Sequence, residues 1–216
     1  MARFVARDGS LIVTSLKVAS TTLDQAPQLR RLRNPDLLLR LAAGRFRRKL
    51  KVLFYRDPFS RTLSVFRSKF LGIERYRSAG LQNIHYQVMR AAGVSPPYTI
   101  ELATDFAEQF TFDRFLQVLP VIYRRDLHTL PQAEQLYFHW RGIKFMEVGF
   151  DCIVDLSNCE DVVAFERRFD TPLGNFNRSF AKSQFALNAK QCEEVKRIYR
   201  SDYKLISLFP NASCVL

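Results

Sequence analysis

A lysine and three hydroxyl side chains follow the first strongly apolar run of the chain. The run, Ser10–Ser15, is rich in β-branched residues and predicts a buried strand. It precedes four candidate anion-binding side chains, Lys17, Ser20, Thr21 and Thr22. A strand that enters a helix through a loop directs main-chain N–H groups at one point, where the helix dipole adds positive potential. The pattern predicts a phosphate or sulfate site, or alternatively a Ser/Thr-capped helix behind a surface lysine.

A second pair of candidates, Arg56 and Ser64, follows a second apolar run, Lys51–Tyr55. An arginine at the carboxyl end of a strand lies where open α/β sheets bind ligands. Its guanidinium can bind two oxygens of one phosphate, and a serine one and a half helical turns further on can add a hydroxyl. The alternative is a surface pair of Arg56 with Asp57, together with an ordinary helical serine.

These side chains require two strands that are each followed by a helix. Asp57 is a good N-cap and Pro58 a good first helical residue. Apolar residues then recur at helical spacing and predict a helix over residues 59–70; they are Phe59, Leu63, Phe66 and Phe70. After the first strand, we predict a helix from Thr21 to Leu32.

Strands and helices alternate along the chain. This alternation indicates an α/β protein with a small, mostly parallel central sheet flanked by helices. The length of 216 residues suits a single domain over residues 1–216.

The two segments together resemble the sulfotransferases. Residues 11–23, LIVTSLKVASTTL, are similar to their 5′-phosphosulfate-binding loop, and residues 51–70, KVLFYRDPFSRTLSVFRSKF, to their 3′-phosphate-binding strand and helix. The pattern R-D-P-[FY]-x-R-x-x-S-x-[FY]-R resembles the carbohydrate sulfotransferases in particular. Weaker similarity continues at His139-Trp140 and at Ser201-Asp202-Tyr203. The resemblance implies a P-loop-like sulfotransferase fold.

The resemblance also implies a donor, 3′-phosphoadenosine-5′-phosphosulfate, whose sulfuryl group moves to a hydroxyl of a carbohydrate or glycolipid by in-line displacement. Lys17 would contact the 5′-phosphosulfate and stabilise charge on the bridging oxygen. The main-chain amides from Ala19 to Thr22, with the hydroxyls of Ser20, Thr21 and Thr22, would surround the phosphate. Arg56 and Ser64 would hold the 3′-phosphate. Adenosine 3′,5′-bisphosphate would be the product, and no metal is required.

The base that accepts the hydroxyl proton is less clear from the sequence. Some related glycan enzymes carry it between the two phosphate motifs, but residues 23–50 contain neither His nor Glu. His139 is favoured because it lies in the His-Trp pair, and a structural histidine beside Trp140 is the alternative. His85 or a carboxylate comes next, whereas His128 is predicted to be a loop residue.

Positive charge is concentrated in the first 80 residues. They hold 18 Lys and Arg against 5 Asp and Glu, and segment 30–51 alone carries nine basic residues and one acid, Asp36. Such a surface usually binds a polyanion, so we expect an anionic glycan or glycolipid acceptor, or else a solvated face. The segment has one aromatic residue, Phe46, and no helix-turn-helix or zinc pattern, which disfavours nucleic acid.

Two other classes of protein stay open. A P-loop-type kinase or another nucleotide-dependent transferase would share the strand–loop–helix unit, although the loop lacks both glycines of the Walker pattern. A non-catalytic protein that binds an anion or nucleic acid on the same fold is the other.

The sequence predicts a cytoplasmic protein, in solution or at a membrane surface. No stretch approaches the roughly 18 apolar residues of a membrane span, and the N-terminal apolar run is too short for a signal peptide. Four cysteines without C-x-x-C or metal spacing predict four reduced thiols, with a Cys152–Cys159 pair as the alternative; they are Cys152, Cys159, Cys192 and Cys214.

Overall fold

A computed structural model describes residues 2–15, 18–140, 143–174 and 188–209 of the chain. The chain divides into two compact units. Unit 1 comprises Met1–Asp57, Gln132–Phe185 and Ser201–Leu216, and unit 2 comprises Pro58–Pro131 and Ala186–Arg200.

Unit 1 contains a five-stranded mixed sheet. The strands of the unit are β1 (Ala2–Ala6), β2 (Leu11–Thr14), β3 (Leu29–Arg31), β4 (Lys51–Tyr55), β5 (Tyr137–Trp140), β6 (Ile143–Glu147) and β7 (Cys152–Asp155). The sheet has the order β3-β1-β2-β4-β7, and β5 and β6 form a separate antiparallel pair. Strands β2, β4 and β7 are parallel, whereas β1 is antiparallel to both β2 and β3. The predicted α/β class is confirmed, as are both strands that were expected to precede the candidate anion-binding residues.

Helices cover both faces of this sheet. The side chains of a strand alternate between the two faces, and here the apolar side chains on each face pack against helices. The helices are α1 (Ser20–Gln25), α2 (Asn34–Ala42), α7 (Cys159–Phe169) and α9 (Arg200–Ser207), of which α9 begins at the last residue of unit 2. On one face, Phe54 packs with Leu23 and Phe165. On the other face, Leu53 belongs to a cluster with Leu37 of α2 and Leu205 of α9. Burial on both faces explains why β2 and β4 are continuous apolar runs.

The predicted helix over Thr21–Leu32 is wrong in its second half. Helix α1 ends at Gln25, and Ala26 has an extended main chain (φ −78°, ψ 116°). Pro27 disfavours helical geometry in the residue before it, and the chain continues as strand β3.

Unit 2 is helical and has an aromatic core. Its helices are α3 (Pro58–Phe66), α4 (Asn83–Ala91), α5 (Ile100–Gln109), α6 (Phe112–Ile122) and α8 (Ala189–Ile198). The predicted helix over 59–70 is confirmed up to Phe66, and a π-helical turn, Arg67–Leu71, completes it. Six buried phenylalanines fill the centre of the unit: Phe59, Phe66, Phe70, Phe110, Phe112 and Phe115.

The cysteines differ from the expectation of four reduced thiols. Cys152 is disulfide-bonded, whereas Cys159 and Cys192 are free thiols. Cys214 lies outside the described residues. The predicted cytoplasmic location, which rested partly on those thiols, stays a prediction. Within the described segments, no helix combines the length and the apolar character that crossing a membrane requires.

Candidate functional site

The loop after β2 is folded by a buried threonine. The hydroxyl of Thr14 donates to the main-chain carbonyl of Val18, four residues further along. The N–H of Val18 donates back to the carbonyl of Ser15 at 3.2 Å. Lys17, predicted to contact the transferred group, lies outside the described residues. The described part of the loop is thus a closed turn at the carboxyl end of β2.

Helix α1 begins with main-chain amides that no side chain of the described residues caps. Its N-cap residue is Ala19, which has a left-handed conformation (φ 56°, ψ 0°) and no capping hydroxyl. The alternative of a Ser/Thr-capped helix is therefore wrong. Ala19 and Ser20 are buried, Thr22 is half-buried and Thr21 is exposed.

The same turn contains an unpaired polar atom. The hydroxyl of Ser15 is buried and has no hydrogen-bond partner among the described residues. A buried hydroxyl without a partner is unfavourable unless a ligand or another group satisfies it. Together with the uncapped start of α1, it fits an anionic ligand at this turn.

Arg56 lies at the same edge of the sheet as this turn. Val13 of β2 pairs in parallel with Leu53 of β4, so the two strands end side by side. The main chain of Arg56 is fixed by the fully buried amide of Gln132. The Arg56 N–H donates to Gln132 Oε1 at 3.0 Å, and Gln132 Nε2 donates to the Arg56 carbonyl at 2.8 Å.

Helix α9 contacts the neighbours of both Gln132 and Arg56. Asp202, which is fully buried, accepts a hydrogen bond from the N–H of Ala133 at 2.9 Å. The hydroxyl of Tyr203 donates to Asp57 Oδ1 at 3.3 Å. These contacts give a structural role to the Ser201-Asp202-Tyr203 motif. Burial first, and then the charge of Asp57, raise the pKa of the neighbouring Tyr55 far above its usual range, which keeps that phenol protonated.

Two further predicted site residues, Ser64 and His139, lie in different units. Ser64 is half-buried on α3, in unit 2. His139 has its main chain in β5, paired with Lys144 of β6, while its side chain lies outside the described part of the molecule. Within the described residues, no group of three or more His, Cys, Asp or Glu side chains could hold a metal ion.

His85 has a structural role in unit 2. Its side chain is fully buried, and its Nδ1 accepts from the N–H of Gln82 at 2.8 Å, which caps helix α4. Its Nε2 then donates to the carbonyl of Lys69 at 3.0 Å. Burial lowers the pKa of His85 to about 4, against an ordinary value of 6.5. Both ring nitrogens are occupied, so this histidine is poorly suited to accept a proton from a substrate.

His128 forms a histidine–carboxylate pair that the sequence did not reveal. Its Nδ1 lies 2.7 Å from Asp126 Oδ1, and Asp126 also accepts from Asn83 Nδ2 at 2.8 Å. Burial alone would raise the pKa of Asp126, but hydrogen bonds from His128 and Asn83 outweigh it and hold that pKa below its ordinary value. The hydrogen bond to Asp126 fixes the orientation of the His128 ring. The D-x-H spacing is the only local signal for this pair.

Unit 1 is thus an α/β unit of the P-loop-like kind, and the start of α1 and the fixed main chain of Arg56 lie at the carboxyl edge of its sheet. The chain belongs to the sulfotransferase family, since the sequence profile of that family matches residues 17–207. The match begins at Lys17 and runs through both units. Searches of curated proteins and of solved structures gave no significant match.

Proposed function

We propose that this protein transfers the sulfuryl group of 3′-phosphoadenosine-5′-phosphosulfate to a hydroxyl of a carbohydrate or glycolipid, and that residues 1–216 act as one sulfotransferase domain. The observation that carries the proposal is the pairing of β2 and β4. It brings the uncapped turn at Ala19 and the fixed main chain of Arg56 to one edge of the sheet. Membership of the family supports sulfuryl transfer in general.

The residues divide between the two ends of the donor. Main-chain amides from Ala19 to Thr22 and the hydroxyls of Ser20, Thr21 and Thr22 bind the 5′-phosphate, and Lys17 stabilises the charge that develops on the bridging oxygen. Arg56 and Ser64 bind the 3′-phosphate and so select this nucleotide over ATP. As the acceptor oxygen bonds to sulfur, the bond between sulfur and the bridging oxygen of the 5′-phosphate breaks, and the hydroxyl proton moves to a base.

Thermal stability in the presence of nucleotides tests the donor. Adenosine 3′,5′-bisphosphate should raise the melting temperature because it binds only the folded state, and ATP should have little effect. Arg56→Ala should abolish the response, because a bidentate arginine–phosphate contact contributes roughly 3 kcal/mol. Arg90→Ala is the control, since Arg90 is exposed on α4. An equal response to ATP would favour a kinase-like protein, and no response to either nucleotide would favour a non-catalytic one.

Turnover of the variants tests the base, for which His139 remains our proposal and a carboxylate is the alternative. His139→Ala should reduce sulfate transfer roughly a hundredfold or more while bisphosphate binding persists. His85→Asn serves as a comparison, because any loss of turnover in this variant should result from lower stability of the fold and not from loss of the base. Normal turnover in His139→Ala would exclude His139 as the base and favour a carboxylate.

A further inference from the structure

A basic groove with an exposed leucine lies on unit 1, between strand β3 and helix α2. It has a volume of about 530 Å³. Five of its lining residues carry the inference and are called the α2 surface: Arg30, Arg33, Leu39, Arg40 and Arg45.

The arginines of the α2 surface are available to a ligand. None of the four forms an ion pair within the described residues. The neighbouring Arg31 differs, because it binds both carboxylate oxygens of Asp24, at 2.9 and 3.1 Å. Among the described residues that line the groove, Asp36 is the single acidic one. Guanidinium groups bind phosphate oxygens in pairs, so the groove suits phosphate-bearing ligands.

Leu39 is exposed although its neighbours on the helix are packed. Leu37 is 1% exposed, and Leu38 and Leu41 pack against the same core cluster. Leu39 is 72% exposed, the largest value among the exposed large apolar residues of the described segments. The inner face of α2 is therefore already used, and its outer face presents a leucine among arginines.

This combination fits an anionic membrane better than a glycan or a nucleic acid. Stacking on bases uses exposed aromatic rings. Phe46, the single aromatic residue of segment 30–51, is 3% exposed and belongs to the core. An amphipathic helix with basic residues beside an apolar tip is typical of peripheral membrane binding. We propose that the α2 surface docks on membranes that contain anionic phospholipids, with the arginines bound to headgroup phosphates and Leu39 at the acyl boundary.

Vesicle sedimentation tests the proposal with the full chain. We expect binding to phosphatidylcholine vesicles that contain roughly 30% phosphatidylserine, and much weaker binding to phosphatidylcholine alone. Leu39→Ser should lower the partition coefficient roughly tenfold, because it removes the apolar contact. Arg45→Gln should lower it about fivefold, which is the contribution of one basic residue near such a surface.

Matched variants elsewhere act as controls. Val163→Ser changes an apolar residue of α7 that is 51% exposed and lies close to Glu160 and Asp161 in sequence, and Arg114→Gln changes an exposed arginine of α6. Both should bind like the unchanged protein. Equal binding to the two vesicle types, or no binding to either, would overturn the proposal. A loss in Arg45→Gln without any loss in Leu39→Ser would overturn it in favour of a soluble polyanion such as an acidic glycan.

The docking proposal does not depend on the proposed activity. Leu39→Ser should keep the full stabilisation by adenosine 3′,5′-bisphosphate. A protein that binds vesicles but not the bisphosphate would contradict the proposed function alone, and the reverse result would contradict only the docking.

Discussion

Arg56 and Arg61 belong to one short sequence motif but lie in different units and different surroundings. Arg56 is half-buried at the edge of the unit 1 sheet, where Gln132 fixes its main chain. Arg61 is 1% exposed in unit 2, where its Nη1 donates to the Leu130 carbonyl at 2.8 Å and its guanidinium lies 5.1 Å from the ring centre of Tyr199. The motif therefore contains a half-buried arginine, which we propose to bind the 3′-phosphate, and a buried one with a structural role in unit 2. Residue type and spacing alone do not distinguish these roles.

The largest expected effect is on stability, at Arg61. Arg61→Ala should lower the free energy of unfolding by about 4 kcal/mol, because it opens a cavity and leaves the Leu130 carbonyl without this donor. Arg56→Ala should change it by no more than about 1 kcal/mol. Urea unfolding of both variants measures the contrast. If Arg56→Ala proved more destabilising than Arg61→Ala, the structural role would belong to Arg56 and not to Arg61.

A smaller effect is expected at Gln132, a positioning residue. Gln132→Ala should cost about 2 kcal/mol and weaken bisphosphate binding, since it removes both hydrogen bonds to the Arg56 main chain. Gln135→Ala is the matched control on the same 3₁₀ turn, because the buried Gln135 amide has no partner within the described residues. Calorimetric titration with adenosine 3′,5′-bisphosphate measures the affinity of both variants. Equal affinity in both variants would show that Gln132 serves stability alone.

The third expected effect, close in size to the loss at Gln132, is a pH dependence in unit 2. Between pH 6.5 and pH 4, the unfolded chain binds a proton at His85 that the folded chain does not, so stability should fall as the pH is lowered through this range. At pH 5 the loss from this residue should be about 2 kcal/mol relative to pH 7. Urea unfolding at pH 5 and pH 7 should show that His85→Asn loses less stability on acidification than the unchanged protein does. Titration of the His85 ring by NMR is a second check, and a value near 6.5 would contradict the argument.

The sequence was sufficient for the parts of the site that depend on local patterns. β2, β4 and the start of α3 were found from apolar runs and from the Asp57-Pro58 signal. Strand β1 has no such signal, because the charged Arg3 interrupts its short apolar run, although that residue is 8% exposed in the sheet. Pro27 is a local signal for the early end of α1, because it disfavours helical geometry in Ala26.

Other parts of the site have no local signal. Gln132 meets Arg56 across 76 residues, and nothing near either residue predicts the pairing. The contact between Tyr203 and Asp57 spans 146 residues. The Asp126–His128 pair is close in sequence, but D-x-H is too short a pattern to separate a hydrogen-bonded pair from an ordinary loop.

The pairing of β4 with β7 has a consequence for synthesis of the protein. Val52 pairs with Cys152, and Lys51 binds Asp151 through its main-chain N–H at 2.7 Å and its Nζ at 2.8 Å. At about 5–20 residues per second, the ribosome needs roughly 5–20 s to make the intervening residues. During that interval β4 is an apolar strand with one unpaired edge, which is a template for aggregation. Slower translation lengthens the exposure, so the yield of soluble protein should depend on how quickly residues 56–152 are completed.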